Sequence, residues 1–224
     1  MKKFVIVVAG GKGLRMGGDL PKQFIPLNNK PVLMHTLQTF YQWDSSCEII
    51  SVIPEEHAGY WKMLCDELDC TIPHKIVFGG ETRYQSVKNA LSEIREEGCV
   101  AVHDGVRPFV SPEVITNCFS AVQAFGAAIP VIPVIESVRE ITDENESKPF
   151  DRERLRIVQT PQVFRTEILK KSYENPYNKL FTDDASVVEA AGYKIQLVRG
   201  NPENIKITTP MDLKVAEILA RKIG

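Results

Sequence analysis

An α/β fold, a mostly parallel sheet flanked by helices, is the class this sequence predicts, and three observations predict it. Short apolar runs rich in β-branched residues, such as Phe4-Val-Ile-Val-Val and Cys99-Val-Ala-Val, read as strands buried on both faces. Segments with apolar residues at helical spacing separate these runs, the pattern of right-handed crossovers between parallel strands. Several strand ends break directly into glycines and charges, where open sheets of this class bind ligands. The expected architecture is therefore Rossmann-like. A protruding β-hairpin arm at about 136–159 interrupts one domain spanning 1–224.

The elements follow in order. After the first strand, Gly10, Gly11 and Gly13 open a loop, and Pro26 to Pro31 form a turn. Leu33, Leu37 and Phe40 then mark a helix, Cys47 to Ile53 a strand, and Glu55 to Leu68 a surface helix with Trp61, Leu64 and Leu68 on one face. A strand at Lys75 to Phe78 leads through Gly79-Gly80 into a helix marked by Tyr84, Val87, Leu91 and Ile94. The strand after Gly98 ends in His103-Asp104. Ser111 and Pro112 start a helix through Phe125. The next strand, from Gly126 to Val134, carries Pro130 and Pro133 and so is expected at a sheet edge or an exit from the sheet. From Glu136 to Gln159 polar and charged residues dominate around a turn-rich Thr142–Pro149. This reads as a long hairpin with little to bury, and a second copy of the chain is the simplest surface for it. Arg165 to Tyr173 reads as a helix, as does a segment N-capped by Thr182. Tyr193 to Val198 and Asn204 to Thr208 read as strands, and Thr209-Pro210-Met-Asp212 caps the last helix.

Composition narrows the function. The chain has 224 residues, 27 basic against 29 acidic, and a formal charge of −2, so nothing suggests a broad nucleic-acid surface. Its five cysteines show no paired CxxC spacing, which argues against a disulfide framework or a structural zinc site. No run approaches the ~20 apolar residues of a membrane span. The apolar segment after Met1-Lys-Lys is too short for a signal peptide and is expected to be the first strand. The expected setting is cytoplasmic.

Chemistry concentrates at the strand ends. Gly10, Gly11 and Gly13 let main-chain N–H groups approach a ligand, and Lys12, Arg15 and Lys22 follow within a dozen residues or so. Backbone donors with convergent cations suit a polyphosphate. The stretch lacks the G-x-x-x-x-G-K-[S/T] of a P-loop, and Met16 occupies the third glycine position of a dinucleotide fingerprint begun at Gly11 and Gly13. Cations here suit a phosphorus centre that gains charge, which points to attack at the α-phosphate of a triphosphate. Gly79-Gly80-Glu81-Thr82 before a helix could receive an anion or a base edge, or could be a plain strand–turn–helix. Asp104 should share the rim with Gly10–Gly13. It would hold a divalent ion there, or alternatively pair with Arg107 to fix the loop. Lys206, a lone cation among apolar residues, either snorkels or serves an anionic site. His35 has no acidic or cysteine neighbours and reads as structural.

Ala9-Gly-Gly-Lys-Gly-Leu-Arg15-Met with Pro21-Lys22 resembles the signature loop of the sugar-nucleotide pyrophosphorylase superfamily. His103-Asp-Gly-Val-Arg107-Pro, Thr160-Pro-Gln, Thr182-Asp-Asp-Ala-Ser186 and Asn204-Ile-Lys206-Ile-Thr narrow the resemblance to the 2-C-methyl-D-erythritol 4-phosphate cytidylyltransferase family, over essentially the whole chain. That resemblance implies transfer of CMP from CTP to a polyol phosphate, with release of pyrophosphate and use of Mg²⁺. It implies Arg15 and Lys22 at the α-phosphate, and Ala9, Gly10, Gly11 and Gly13 around the nucleotide. Gly80, Glu81 and Ser86, with Gly105 beside them, would read cytosine and ribose, and Asp104 would lie near ribose and metal. Arg152 and Lys206 would hold the acceptor phosphate, with Ser137 and Thr182 as polar helpers. The arm would reach a partner subunit, so Arg152 would serve the partner's site. Sister enzymes that use ribitol 5-phosphate are the alternative within the class. A non-catalytic nucleotide sensor is the alternative outside it, and the full set of cations with Asp104 argues against that.

Overall fold

A computed structural model describes residues 1–11, 20–144 and 146–223. In chain order its elements begin with β1 (Lys2–Val8), the two-residue strands β2 (Pro26–Leu27) and β3 (Lys30–Pro31), and α1 (Val32–Trp43). Next come β4 (Glu48–Ile53), α2 (Glu55–Glu67), β5 (Lys75–Phe78), α3 (Arg83–Ser92), β6 (Gly98–Asp104) and α4 (Pro112–Phe125). They are followed by β7 (Ala127–Pro133), β8 (Val138–Asp143), β9 (Glu146–Phe150), β10 (Arg156–Val158) and β11 (Gln162–Arg165). The chain closes with α5 (Thr166–Ser172), α6 (Asp184–Ala190), β12 (Gln196–Arg199) and α7 (Pro210–Ile223).

The apolar runs become the centre of the sheet. β5, β4, β1 and β6 lie side by side in parallel, so their C-terminal ends share one rim. Residues of β1 alternate between two cores, as strand geometry requires. Val5 and Val7 pack with Leu37 and Phe40 of α1, Trp61 of α2 and Ile115 of α4. Phe4 and Ile6 pack with Val87 and Leu91 of α3 and Leu169 of α5 on the other face. A smaller core of Leu27, Val32, Val106, Phe109 and Ile207 holds α7 against the rim through Ala216. Asn28 and Asn29, at φ 47° and 65°, form the tight turn between β2 and β3. Gly126, at φ 83°, ends α4 in a left-handed cap that a Cβ would strain.

Four expectations are corrected. β7 is interior: β12 runs parallel along one side, and β10 and β11 follow one another along the other. Its proline is tolerated because the Pro130 carbonyl faces Gln159, where the β10–β11 ladder is interrupted and no N–H of residue 130 is needed. The hairpin is β8–β9, a separate two-stranded sheet ending at Phe150, whereas Arg156–Val158 belongs to the main sheet. Asp183, not Thr182, caps α6, in a reciprocal box with Ser186. Asn204 to Thr208 joins no strand ladder. It is tied instead by Ile207 N–H to the Val106 carbonyl at 3.0 Å and by Arg107 Nη1–H to the Asn204 carbonyl at 2.7 Å.

One buried relay sets the rim. Asp104 N–H donates to Thr160 Oγ1 at 3.1 Å, Thr160 Oγ1 lies 3.0 Å from His103 Nδ1, and His103 Nε2 lies 2.9 Å from the Arg107 carbonyl. A carbonyl only accepts, so Nε2 carries the proton and Nδ1 accepts from the threonine. Burial lowers the His103 pKa to about 4, which keeps the ring neutral and preserves this order. The folded protein therefore binds this proton less readily than the unfolded chain does. The associated stability is full above about pH 6.5 and is lost as pH falls toward 4, by roughly 3 kcal/mol in total. Urea unfolding at pH 7 and pH 5 should show a stability loss larger by about 2 kcal/mol in wild type than in His103→Gln. Equal losses in the two proteins would refute the neutral relay.

Candidate active site

Three strand ends meet in one cleft of about 240 Å³, lined by residues from the loops after β1, β5 and β6 together with Lys22, Gln23 and Lys206. A larger cavity of about 600 Å³, lined by Trp43, Phe109 and Val110, has Glu203 as the one charged residue among the described residues that line it and does not balance a polyphosphate.

The first loop enters through Ala9, buried and fixed by its N–H to the Val52 carbonyl at 2.8 Å. Gly10 and Gly11 follow at the lip. A Cβ on Gly11 would meet Lys22 Cε at 2.9 Å, so the lysine stem lies directly on the glycine backbone. Lys22 begins a single 3-10 turn, Lys22–Phe24, whose Phe24 is buried and stacks on Trp61 of α2 with ring centroids 6.0 Å apart. Beside it Gln23 is fully buried, and among the described residues neither atom of its amide has a hydrogen-bond partner. An unpaired buried amide is costly, and this one lines the cleft. Gly13 and Arg15, and Lys12 between the glycines, lie outside the described residues.

The second loop is held by Ser86. Its Oγ accepts the Gly80 N–H at 3.0 Å and donates to the Thr82 carbonyl at 2.9 Å, while Thr82 Oγ1 caps α3 by accepting the Gln85 N–H. Ser86 and Gly80 line the cleft, with Ser86 also holding the turn; Glu81 is exposed at the mouth. A Cβ on Gly80 would sit 2.2 Å from Gln85 Cγ.

The third loop carries Asp104. Its Oδ2 accepts Arg107 Nε–H at 3.0 Å and lies 3.1 Å from Lys206 Nζ. Burial alone would raise the carboxyl's pKa, but Lys206, Arg83 and Arg107 outweigh it and hold it far below the ordinary range. Asp104 thus does pair with Arg107, the loop-fixing alternative, while also facing the cleft. Gly105 is squeezed between chains: a Cβ would lie 3.0 Å from that of Ala9 and 3.1 Å from the Val8 carbonyl oxygen. Its placement is explained by packing, and it is absent from the cleft lining.

Sequence reasoning missed Arg83 and Gln23. Arg83 lines the cleft and donates to Asp184 at 2.5 Å, and Tyr173 Oη–H donates to the other oxygen of that fully buried carboxylate at 2.6 Å. Burial would weaken the Arg83 charge, but the Asp184 carboxylate more than compensates and raises its pKa. The signal was a cation next to the Gly79-Gly80 turn; its partner lies 101 residues away, beyond any local pattern.

Ser137, Arg152 and Thr182 are exposed or partly exposed and do not line the cleft of a single chain. Ser137 and Arg152 lie together at the base of the arm, where Val138 pairs with Phe150 and Arg152 Nη1–H donates to the Ile135 carbonyl at 2.5 Å.

Comparison with known proteins identifies the family. The family model described as IspD, 2-C-methyl-D-erythritol 4-phosphate cytidylyltransferase, matches residues 3–222. A protein of that name from Phocaeicola vulgatus is 56% identical over 219 residues, covering 98% of this chain and 100% of the relative. The crystal structure of an enzyme of that name from Thermus thermophilus matches with a TM-score of 0.81 at 31% identity, covering 99% of this chain and 100% of that one. The 4-diphosphocytidyl-2C-methyl-D-erythritol synthase of Anaerococcus prevotii matches with a TM-score of 0.83 at 28% identity, covering 98% and 96%. The chain, matched by one family model from its first strand to its last helix, belongs to the 2-C-methyl-D-erythritol 4-phosphate cytidylyltransferase family.

Proposed function

We propose that this chain transfers the cytidylyl group of CTP to 2-C-methyl-D-erythritol 4-phosphate and releases pyrophosphate, the reaction for which its family is named. One observation carries the reading: Lys22, Arg83 and Lys206 line one cleft with the Ala9–Gly11 backbone and the Asp104 carboxylate, which stays ionised. An acceptor phosphate oxygen attacks the α-phosphorus, a new P–O bond forms there, and the bond to the β-phosphate oxygen breaks. No protein nucleophile is required; the protein positions the reactants and stabilises charge. Lys22 takes the charge at the α-phosphate, together with Arg15, to which the family resemblance gives the same role. Gly80, Glu81 and Ser86 face the base and ribose, and Lys206 faces the acceptor phosphate from its place on Asp104.

The donor set fits Mg²⁺. Asp104 lines the cleft and keeps its charge, and this ion takes one or two carboxylates with the remainder from phosphates and water. Among the described residues no three His, Cys, Asp or Glu side chains gather into a cage, and none is needed. When bound, the ion offsets triphosphate charge.

The arm makes the active form a homodimer. β8 and β9 have little core of their own, and Ile135, Ile141 and Ile157 are exposed large apolar residues on or near the arm. Burying them against a second copy would carry Ser137 and Arg152 toward the partner's cleft, with Thr182 nearby as a polar helper. Among the described residues no helix is long and apolar enough to cross a membrane. Free cysteines suit a reducing cytoplasm.

Pyrophosphate release measured with Mg²⁺-CTP should occur with 2-C-methyl-D-erythritol 4-phosphate and be far slower with ribitol 5-phosphate. The reverse preference would identify the sister activity, and no release with either would favour a nucleotide sensor. Lys22→Ala should lower kcat by ~2.7–4 kcal/mol in barrier terms, the cost of a lost oxyanion donor, and normal steady-state turnover would sink that assignment. Gln23→Met should raise KM for CTP while leaving thermal stability unchanged or higher, because it removes an unpaired buried amide. A stability loss with KM unchanged would make Gln23 a packing residue only.

A further inference from the structure

Cys65 and Cys70 flank the end of α2. The helix closes at Leu68, Asp69 takes a left-handed φ of 48°, and Cys70 N–H donates to the Cys65 carbonyl at 2.9 Å. This is a Schellman ending, in which the side chain third from the helix end meets the one second past it. Here both are cysteines. With standard bond lengths the backbone bond keeps their Cα atoms within about 7 Å, a separation that a disulfide spans. Both side chains pack at the margin of the same core.

The Cys70 sulfur is the more reactive of the two. The Cys65 thiol stabilises its thiolate most; burial opposes this, and the Ile72 N–H, His74 and Lys30 add to it, so its pKa falls below that of an ordinary thiol. Cys70 also lines a surface cavity of about 270 Å³ beside Lys30 and Asp69, which gives a small reagent a way in. Cys47, Cys99 and Cys118 are buried, and burial raises each of their thiols.

We propose that Cys65 and Cys70 form a dithiol modification site that a small-molecule disulfide oxidises to an intramolecular disulfide across the C-terminal end of α2. The Cys70 thiolate attacks one sulfur of the reagent, forming a mixed disulfide and expelling one reagent thiolate. Cys65, giving its proton to water, then attacks the Cys70 sulfur, forms the internal S–S bond and expels the second reagent thiolate. Two protein thiols are oxidised and one reagent disulfide is reduced to two thiols.

The test incubates the full chain with oxidised glutathione, quenches in acid, alkylates under denaturing conditions and maps peptides by mass spectrometry. Free thiols should fall from five to three, with a Cys65–Cys70 cross-linked peptide and no retained glutathione. Cys65→Ser should instead accumulate a glutathione adduct on Cys70, and Cys70→Ser should react about tenfold more slowly at Cys65. A wild-type protein that keeps the adduct on Cys70 without a cross-link, keeps all its thiols, or reacts first at Cys47, Cys99 or Cys118 would overturn the proposal.

Discussion

The site depends on one buried carboxylate. Asp104 sits at the end of β6, the most completely buried strand, and burial by itself penalises its charge. Arg107 and Lys206 on one oxygen, with Arg83 nearby, offset that penalty. The charge in turn fixes three separate segments. Arg107 turns back on its own loop and reaches the Asn204 carbonyl, Asn204 Nδ2–H donates to the Thr160 carbonyl at 2.8 Å, and Thr160 receives the Asp104 N–H. Residues about fifty and a hundred positions downstream of Asp104 are thereby held at the rim where the glycine loop begins. Removing one partner of such a buried set leaves an uncompensated charge, commonly worth 3–5 kcal/mol of stability.

Around this anchor, close backbone approach shapes the cleft. Gly105 must pass between Val8, Ala9 and Leu33 for β6 and β1 to end side by side, and its N–H donates to the Val8 carbonyl at 2.8 Å. On the far side Arg83 is fixed by Asp184 and Tyr173, and Tyr173 stacks on Tyr84 with ring centroids 4.6 Å apart. Arg83, Arg107 and Lys206 are thus held in place by buried carboxylates and backbone carbonyls.

Much of this was legible in the sequence, for local reasons. Continuous apolar runs identify β1, β4 and β6, and helical spacing with Ser111 and Pro112 identifies α4 to the residue. Parallel pairing of those strands then brings Ala9–Gly11, Gly80–Ser86 and Asp104 to one rim without further information. What was not legible depended on distant partners. β7 is interior despite its prolines because the interruption at Gln159 lies on a strand that arrives some 30 residues later. Lys206 lies on an irregular segment because Val106 and Arg107, rather than a strand neighbour, take its backbone bonds. Asp183 displaced Thr182 as a cap because Gln162 of β11 also binds it, at 2.7 Å. Arg83 and Gln23 carry no motif of their own; one is defined by a buried aspartate far along the chain, the other by having no partner for its buried amide among the described residues.

The most direct test of the charge-centred account is steady-state turnover of Asp104→Asn, which keeps the side chain's shape and removes its charge. With CTP, Mg²⁺ and the methylerythritol phosphate saturating, kcat should fall by about a hundredfold or more relative to wild type. Turnover equal to wild type would show that the shape of this residue suffices, and would contradict the claim that its charge organises the cleft.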